Sequence, residues 1–399
     1  MRRRNQIAVA ASVTLALYIL GCLFIAYLFG LLPWEISHVE GIILYETNHF
    51  SAAERALVQA NRCLPSRFYD LPRSLTLSQL GRTEIELGKY AEAERAYRQL
   101  LTVVDKKHGR ESWRTARALV GLAQACRRQR KFAEAEALYV RAVSIRQRIY
   151  GEDSTWVASA LEGLGRTYVY EHKFDQAERA LGRAVAIYEK RKPNSTSLAF
   201  ALDDLSDCRF RQKKYKEADQ LCRRALSMEH AVGAEPIDIA ATVHTLAMIC
   251  SSEKQYDEAT RLYKQALATE TRAYGRESIR VANLETDLAR NYDRQKKYKE
   301  AESLSRHAVS IYTRSSPGSL ELSRALSRLG MCCYKQKKYA DAADALKRAL
   351  AVYDESGEKH QPYRDLILEG LSKCYDKLGR PSDAKKYRKQ LSALRQSKK

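Results

Sequence analysis

The chain repeats itself along most of its length. An aromatic residue opens a short Ala/Glu-rich stretch at Phe50, Tyr90, Phe132, Phe174, Tyr215, Tyr256, Tyr298 and Tyr339, and Pro381 holds the same place in a last copy. The successive spacings are 40, 42, 42, 41, 41, 42, 41 and 42 residues. A period of this size confines the chain to a stack of supersecondary units, each burying its apolar face only against its neighbours. Such a core grows in one dimension, so 399 residues need no division into separate globular domains. Function is then expected in the surface the stack presents rather than in a catalytic centre.

Each unit reads as two helices. Ten residues before the anchor stands a leucine, at Leu80, Leu122, Leu164, Leu205, Leu246, Leu288, Leu329 and Leu371. The residue after it is always small: Gly81, Ala123, Gly165, Ser206, Ala247, Ala289, Gly330 and Ser372. An alanine follows each anchor after the first by three positions, from Ala93 through Ala177 and Ala301 to Ala384. Small residues at fixed points on both helices predict close backbone approach, with the leucine and the aromatic filling the space between. Polar turns such as Gln129-Arg130-Lys131 and Gln212-Lys213-Lys214 separate the helices of a unit. Between units, Gly109…Ser112, Gly151…Ser154 and Gly275…Ser278 predict a helix-stopping glycine and a capping serine. Nothing alternates with period two, so no sheet is expected.

The N-terminus differs. Ile7 to Leu32 carries no charge and follows Arg2, Arg3 and Arg4. At ~1.5 Å per residue this segment suffices to cross a ~30 Å hydrocarbon core. It predicts an uncleaved signal anchor with Trp34 at the interface, the N-terminus cytoplasmic and the repeats extracytoplasmic. Seven of the nine cysteines fall at recurring repeat positions, which predicts small buried thiols rather than a disulfide framework. The net charge of +21 favours anionic partners and says nothing of the fold.

The repeat resembles the tetratricopeptide repeat: its Leu-Gly-x-x-Tyr element stands at Leu164 to Tyr168, and its Ala-x-x-x-aromatic element at Ala135…Tyr139 and Ala259…Tyr263. The period near 42, the Lys297–Glu302 turn and the Tyr-Gly-x-x-Ser loops are most similar to the kinesin light chain subtype. The resemblance implies an all-α, right-handed superhelical α-solenoid of helix-turn-helix units. Two departures separate the chain from that subtype. Its Asn-Asn pair before the leucine is replaced, for example by Glu162-Gly163 and Ser327-Arg328, and its Gly-x-x-His-Pro loop is lost. The resemblance therefore implies a peptide-binding architecture without motor-cargo recognition.

The resemblance also implies that ligands contact the first helix of each unit, two, five and six residues after the leucine. The candidate groove residues are Arg127, Arg128, Arg166, Tyr170, Phe210, Arg211, Arg290, Arg294, Tyr334, Lys335 and Lys373, with Arg82, Val169, Asp293 and Lys377 at the same register. A basic stripe with interspersed rings suits acidic or carboxylate-bearing peptide segments. A second basic row, Lys89, Lys131, Lys173, Lys214, Lys254, Lys297 and Lys338, falls at the turns and complements helix C-termini. The eight histidines are scattered, no phosphate loop occurs, and Gly163-Leu164-Gly165 lies inside a helix, so neither enzyme activity nor a cofactor or metal is expected.

The expected organisation is an anchor at 1–34, a short capping unit at 35–62, a Pro-containing connector at 63–73, eight units at 74–391 and a basic tail at 392–399. The expected function is a membrane-anchored scaffold for protein partners. The competing expectation is a charge-driven binder of nucleic acid or an envelope glycan, with nucleic acid the weaker case.

Overall fold

The computed structural model describes residues 32–47, 49–63, 70–356 and 361–396. Every regular element among them is a helix. The chain divides into two compact units at Pro193. The first contains α1 (Leu32–Glu46), α2 (Phe50–Cys63), α3 (Asp70–Glu86), α4 (Tyr90–His108), α5 (Trp113–Arg128), α6 (Phe132–Tyr150), α7 (Thr155–Tyr170) and α8 (Phe174–Arg191). The second contains α9 (Thr196–Arg211), α10 (Tyr215–Val232), α11 (Pro236–Ser252), α12 (Tyr256–Tyr274), α13 (Ile279–Arg294), α14 (Tyr298–Ser315), α15 (Leu320–Lys335), α16 (Tyr339–Glu355), α17 (Gln361–Lys377) and α18 (Pro381–Gln396). In both units the helices pair as hairpins, and every second helix starts on an anchor of the repeat.

The turn inside a hairpin explains that registration. Two residues before the anchor the backbone is left-handed, at Gly88 (φ 76°), Arg130 (63°) and His172 (60°) in the first unit, and at Lys213 (64°), Lys254 (68°), Lys296 (63°), Lys337 (63°) and Gly379 (68°) in the second. The next amide then reaches back over the helix end, as Lys131 N–H does to the Cys126 carbonyl (2.9 Å) and Lys338 N–H to that of Cys333 (2.9 Å). One left-handed residue thus closes the orphan carbonyls of the first helix and aims the chain into the second. Between hairpins, Gly109 (φ 82°) and Gly151 (81°) end α4 and α6. Ser112 and Ser154 then cap α5 and α7 through the amides of Thr115 and Val157. Ser195, Ser278 and Ser319 cap α9, α13 and α15 in the same way.

The alanines three residues past the anchors are fully buried in both units, among them Ala93, Ala135 and Ala177 in the first and Ala218, Ala301 and Ala384 in the second. The leucines are buried too, except Leu205, which is half-buried. The anchor rings themselves are only half-buried, so they do not fill the interior as the sequence suggests. That role falls to residues seven further on, such as Tyr97, Tyr139 and Tyr263. Within each unit, first helices of successive hairpins touch one another while second helices do not. The first helices therefore lie on the tighter side of each stack.

The expected single-pass placement is corrected: no helix among the described residues is long and apolar enough to cross a membrane. Of Ile7–Leu32 only Leu32 is described, and the rest of that stretch, with Arg2, Arg3 and Arg4, lies outside the described residues. The helix that begins at Leu32 has 15 residues and includes Glu40 and Glu46. At ~1.5 Å per residue it falls short of a ~30 Å core. It belongs instead to the stack. Trp34, expected at a bilayer interface, is buried, and its indole N–H donates to Thr76 Oγ1 on α3 at 2.8 Å. Of the expected connector, residues 64–69 lie outside the described residues.

Candidate functional site: the exposed face of the first helices

In the first unit the predicted stripe divides. Arg128 and Tyr170 are exposed, the latter 43%. The Tyr170 ring stacks on Phe132, with centroids 6.1 Å apart and planes 5° from parallel. Arg166 is half-buried and bonds Glu162 one turn earlier. Arg82 lies over the Tyr45 ring at 4.9 Å. Arg127 and Val169 instead point inward and are buried.

In the second unit the stripe is more continuous. Phe210 is half-buried against Tyr215 (5.8 Å), and exposed Arg211 bonds Asp207 at 2.9 Å. Arg290 pairs with Asp287 at 2.7 Å, while Arg294 donates to the Ser251 carbonyl at 2.8 Å and to its hydroxyl at 3.1 Å. Tyr334, Lys335 and Lys373 come together. They line a cleft of about 200 Å³ on α15 and α17 with Met331, Leu366, Glu369 and Gly370. Leu366 is 49% exposed on its wall, and Lys373 bonds Glu369 at 2.7 Å.

Carboxylates beside the bases were missed by the sequence reading, although Glu162/Arg166, Asp207/Arg211 and Glu369/Lys373 are all spaced i, i+4. The stripe is therefore a mixed surface rather than a bare cationic one. His244, which looked isolated, bonds Asp287 at 2.9 Å. Burial by itself would raise the Asp287 carboxyl, but the bonds from His244 and the Arg290 charge outweigh it and hold it below the usual range.

The lysine row is also engaged. Lys89, Lys131 and Lys173 reach back to Glu54 (2.6 Å), Glu94 (2.6 Å) and Glu136 (2.7 Å) of the preceding hairpin, and Lys338 does the same to Glu302 (2.7 Å) in the second unit. A glutamine two positions earlier joins in: Gln129 Nε2 donates to the Tyr90 carbonyl (2.9 Å) and to Glu94 (2.7 Å), and Gln336 to the Tyr298 carbonyl (3.2 Å) and Glu302 (2.7 Å). These turns clip one hairpin to the next. Glu94, Cys126 and Glu134 converge to within 4.8 Å, a spacing that could hold a cation. However, Arg98 already bridges both carboxylates, at 2.7 and 2.5 Å. Burial opposes ionisation of Glu94, yet the bonds from Lys131, Arg98 and Gln129 pull its carboxyl down to about 2, and burial pushes the Cys126 thiol up to about 12. The cluster is an internal salt bridge with an inert thiol. The other described cysteines are buried and free as well.

Stacked two-helix hairpins with an exposed stripe on their first helices define a helical-repeat protein. The tetratricopeptide repeat family model matches residues 72–145, 114–190, 238–314 and 321–397, more than half of the sequence, and the chain belongs to that family. No curated protein matches it. Among solved structures it is similar to a signal transduction ATPase with a tetratricopeptide repeat sensor from Pyrococcus horikoshii, at 15% identity and TM-score 0.59, covering 87% of this chain and 53% of that one. It is similar to a Rap protein complexed with competence and sporulation factor, at 15% identity and TM-score 0.55, covering 87% and 99%. A third is BtubC (BKLC) from P. vanneervenii, at 20% identity and TM-score 0.50, covering 57% and 91%. At these identities the likeness is one of fold.

Proposed function

We propose that the chain is a scaffold that binds acidic or carboxylate-bearing peptide segments of protein partners on the exposed face of its first helices. The observation that carries this reading is the cleft on α15 and α17. Tyr334, Lys335 and Lys373, picked from repeat register, line one cavity with the apolar walls of Met331 and Leu366. An apolar wall with a basic rim suits a peptide that buries one apolar side chain and places an acid beside it. The Rap protein bound to a small factor is a fold-level analogy for such use. The period and loops support the kinesin light chain-like subtype, and residues 74–391 are the proposed binding array, with 35–62 its first capping unit, 63–73 a connector and 392–399 a basic tail. The anionic-polymer reading loses support because four of the ridge lysines are committed to hairpin clips.

A test uses random dodecapeptides displayed on phage and panned against the full chain. Selected peptides should be rich in Asp or Glu beside an apolar residue. Tyr334→Ala or Lys373→Glu should weaken them about tenfold, the scale of one lost anchor. Peptides without acidic enrichment, or indifferent to both substitutions, would overturn the reading.

A further inference from the structure

Arg127 stands apart from the rest of the stripe. It lies in the last turn of α5 and is 6% exposed. Its Nε has no hydrogen-bond partner, and no acid pairs with it among the described residues. Arg146, on α6, is as deeply buried but satisfied: its Nη1 donates to the Trp156 carbonyl at 2.5 Å and to Ser159 Oγ at 2.7 Å. A buried guanidinium without an anion is among the least favourable groups a folded interior can hold. What Arg127 does have is the Tyr170 ring, 5.7 Å from its Cζ. That ring is 43% exposed, so a single aromatic side chain separates the cation from solvent. Arg128 is exposed at the next position.

We infer that Arg127 is the fixed cation of a carboxylate subsite in the first unit, with the Tyr170–Phe132 stack as its apolar wall. A carboxylate fits better than a phosphate dianion. One negative charge neutralises the one buried positive charge, whereas a second would be left uncompensated away from water. The fork geometry of a guanidinium matches a carboxylate through two parallel bonds. The carboxylate could come from the C-terminus or from an acidic side chain of the partner peptide. Only that attribution to a peptide rests on the groove reading. The subsite itself rests on Arg127.

The experiment measures benzoate and benzamide binding to the full chain by calorimetry, alongside Arg127→Met and, in the other unit, Lys373→Glu. Benzoate offers a ring for Tyr170 and a carboxylate for Arg127, and benzamide keeps the shape without the charge. The wild type should prefer benzoate by about tenfold or more, the size of a charge-assisted pair. Arg127→Met should erase that preference, and Lys373→Glu should keep it. Arg127→Met should also melt no lower than the wild type, because it removes an uncompensated charge. Equal binding of the two probes, a preference that survives Arg127→Met, or a melting point lowered by several degrees would overturn the assignment. So would stronger competition by inorganic phosphate than by acetate. Two versions of a selected dodecapeptide, one amidated at its C-terminus and one with its acid changed to the amide, distinguish the two carboxylate sources. Failure of the groove reading appears separately, in the Tyr334 and Lys373 variants.

Discussion

The two units join successive hairpins with the same register and different chemistry. In the first, the residue before the repeat leucine is glycine at 121 and 163, and the ring of Tyr97 or Tyr139 from the preceding hairpin lies against it. In the second, that position holds Thr245, Asp287, Arg328 and Gly370. There Thr245 bonds Asp203 at 3.3 Å, Asp287 bonds His244 at 2.9 Å, and only Gly370 repeats the steric solution, beneath Leu346. One seam is closed by a ring on a bare backbone, the other mostly by polar pairs. A repeat therefore fixes the spacing of its helices and leaves the filling open. The units also differ outwardly. The first exposes Trp113, Trp156 and Tyr170 among other large apolar side chains, whereas the second exposes only Leu366, within its cleft.

The steric seam should break hardest. A Cβ at Gly121 would lie 2.2 Å from Tyr97 Cε1, against 3.0 Å from Leu346 Cδ1 at Gly370. Gly121→Val should cost about 3 kcal/mol or more by overpacking, and Gly370→Ala should change stability by less than about 1 kcal/mol. Denaturant unfolding of the two variants checks this, and equal tolerance would erase the distinction.

Next comes pH. In the first unit burial, reinforced by the charges of Glu54 and Glu92, pushes the Glu84 carboxyl up to about 7. In the second, burial takes Glu229 to about 7 against the opposing bond from Thr242. Both groups hold a proton more tightly folded than unfolded. Their stabilisation is fully present below the unfolded carboxylate range near pH 4.3 and is lost as pH rises through 7, by on the order of 2–3 kcal/mol each. Melting should therefore be lower at pH 8 than at pH 5.5. Glu84→Gln should flatten that slope in hydrogen exchange of the first unit, and Glu229→Gln in the second.

The clips give a smaller contrast. Glu94→Gln should cost about 1 kcal/mol and lose that effect in high salt, since Lys131 and Arg98 are part-exposed partners. In the second unit Thr260 takes the place of the acid and accepts from Asn291 (2.8 Å) and Gln295 (2.9 Å). Thr260→Val should also cost about 1 kcal/mol, with no salt dependence. The smallest effect is expected at the left-handed turns, where Lys213→Gly should stabilise by about 0.5 kcal/mol. A loss there would show that the lysine side chain matters more than its backbone.

Much of this fold was legible from period alone. The anchors mark where second helices begin because a left-handed turn must precede them, and the small residues after the leucines mark close approach, as Gly165 under Leu181 shows. What spacing could not convey was how the interior is filled. Tyr97, Tyr139 and Tyr263 recur in only some units, so no constant letter announced them. The stripe was legible as register but not as chemistry. Glu162, Asp207 and Glu369 neutralise bases one turn away, and Arg127 turns inward although Arg128 beside it faces out. Trp34 was misassigned because an apolar run precedes it, while the bond that holds it reaches across 42 residues to Thr76.

The most direct test of the proposed role is hydrogen exchange on the full chain with and without a selected acidic dodecapeptide. The account predicts slowed exchange concentrated in Leu320–Lys335 and Gln361–Lys377, the first helices that carry the cleft, with Tyr339–Glu355 and Pro381–Gln396 little changed. Protection centred on those second helices, or no protection at concentrations that saturate binding, would contradict it.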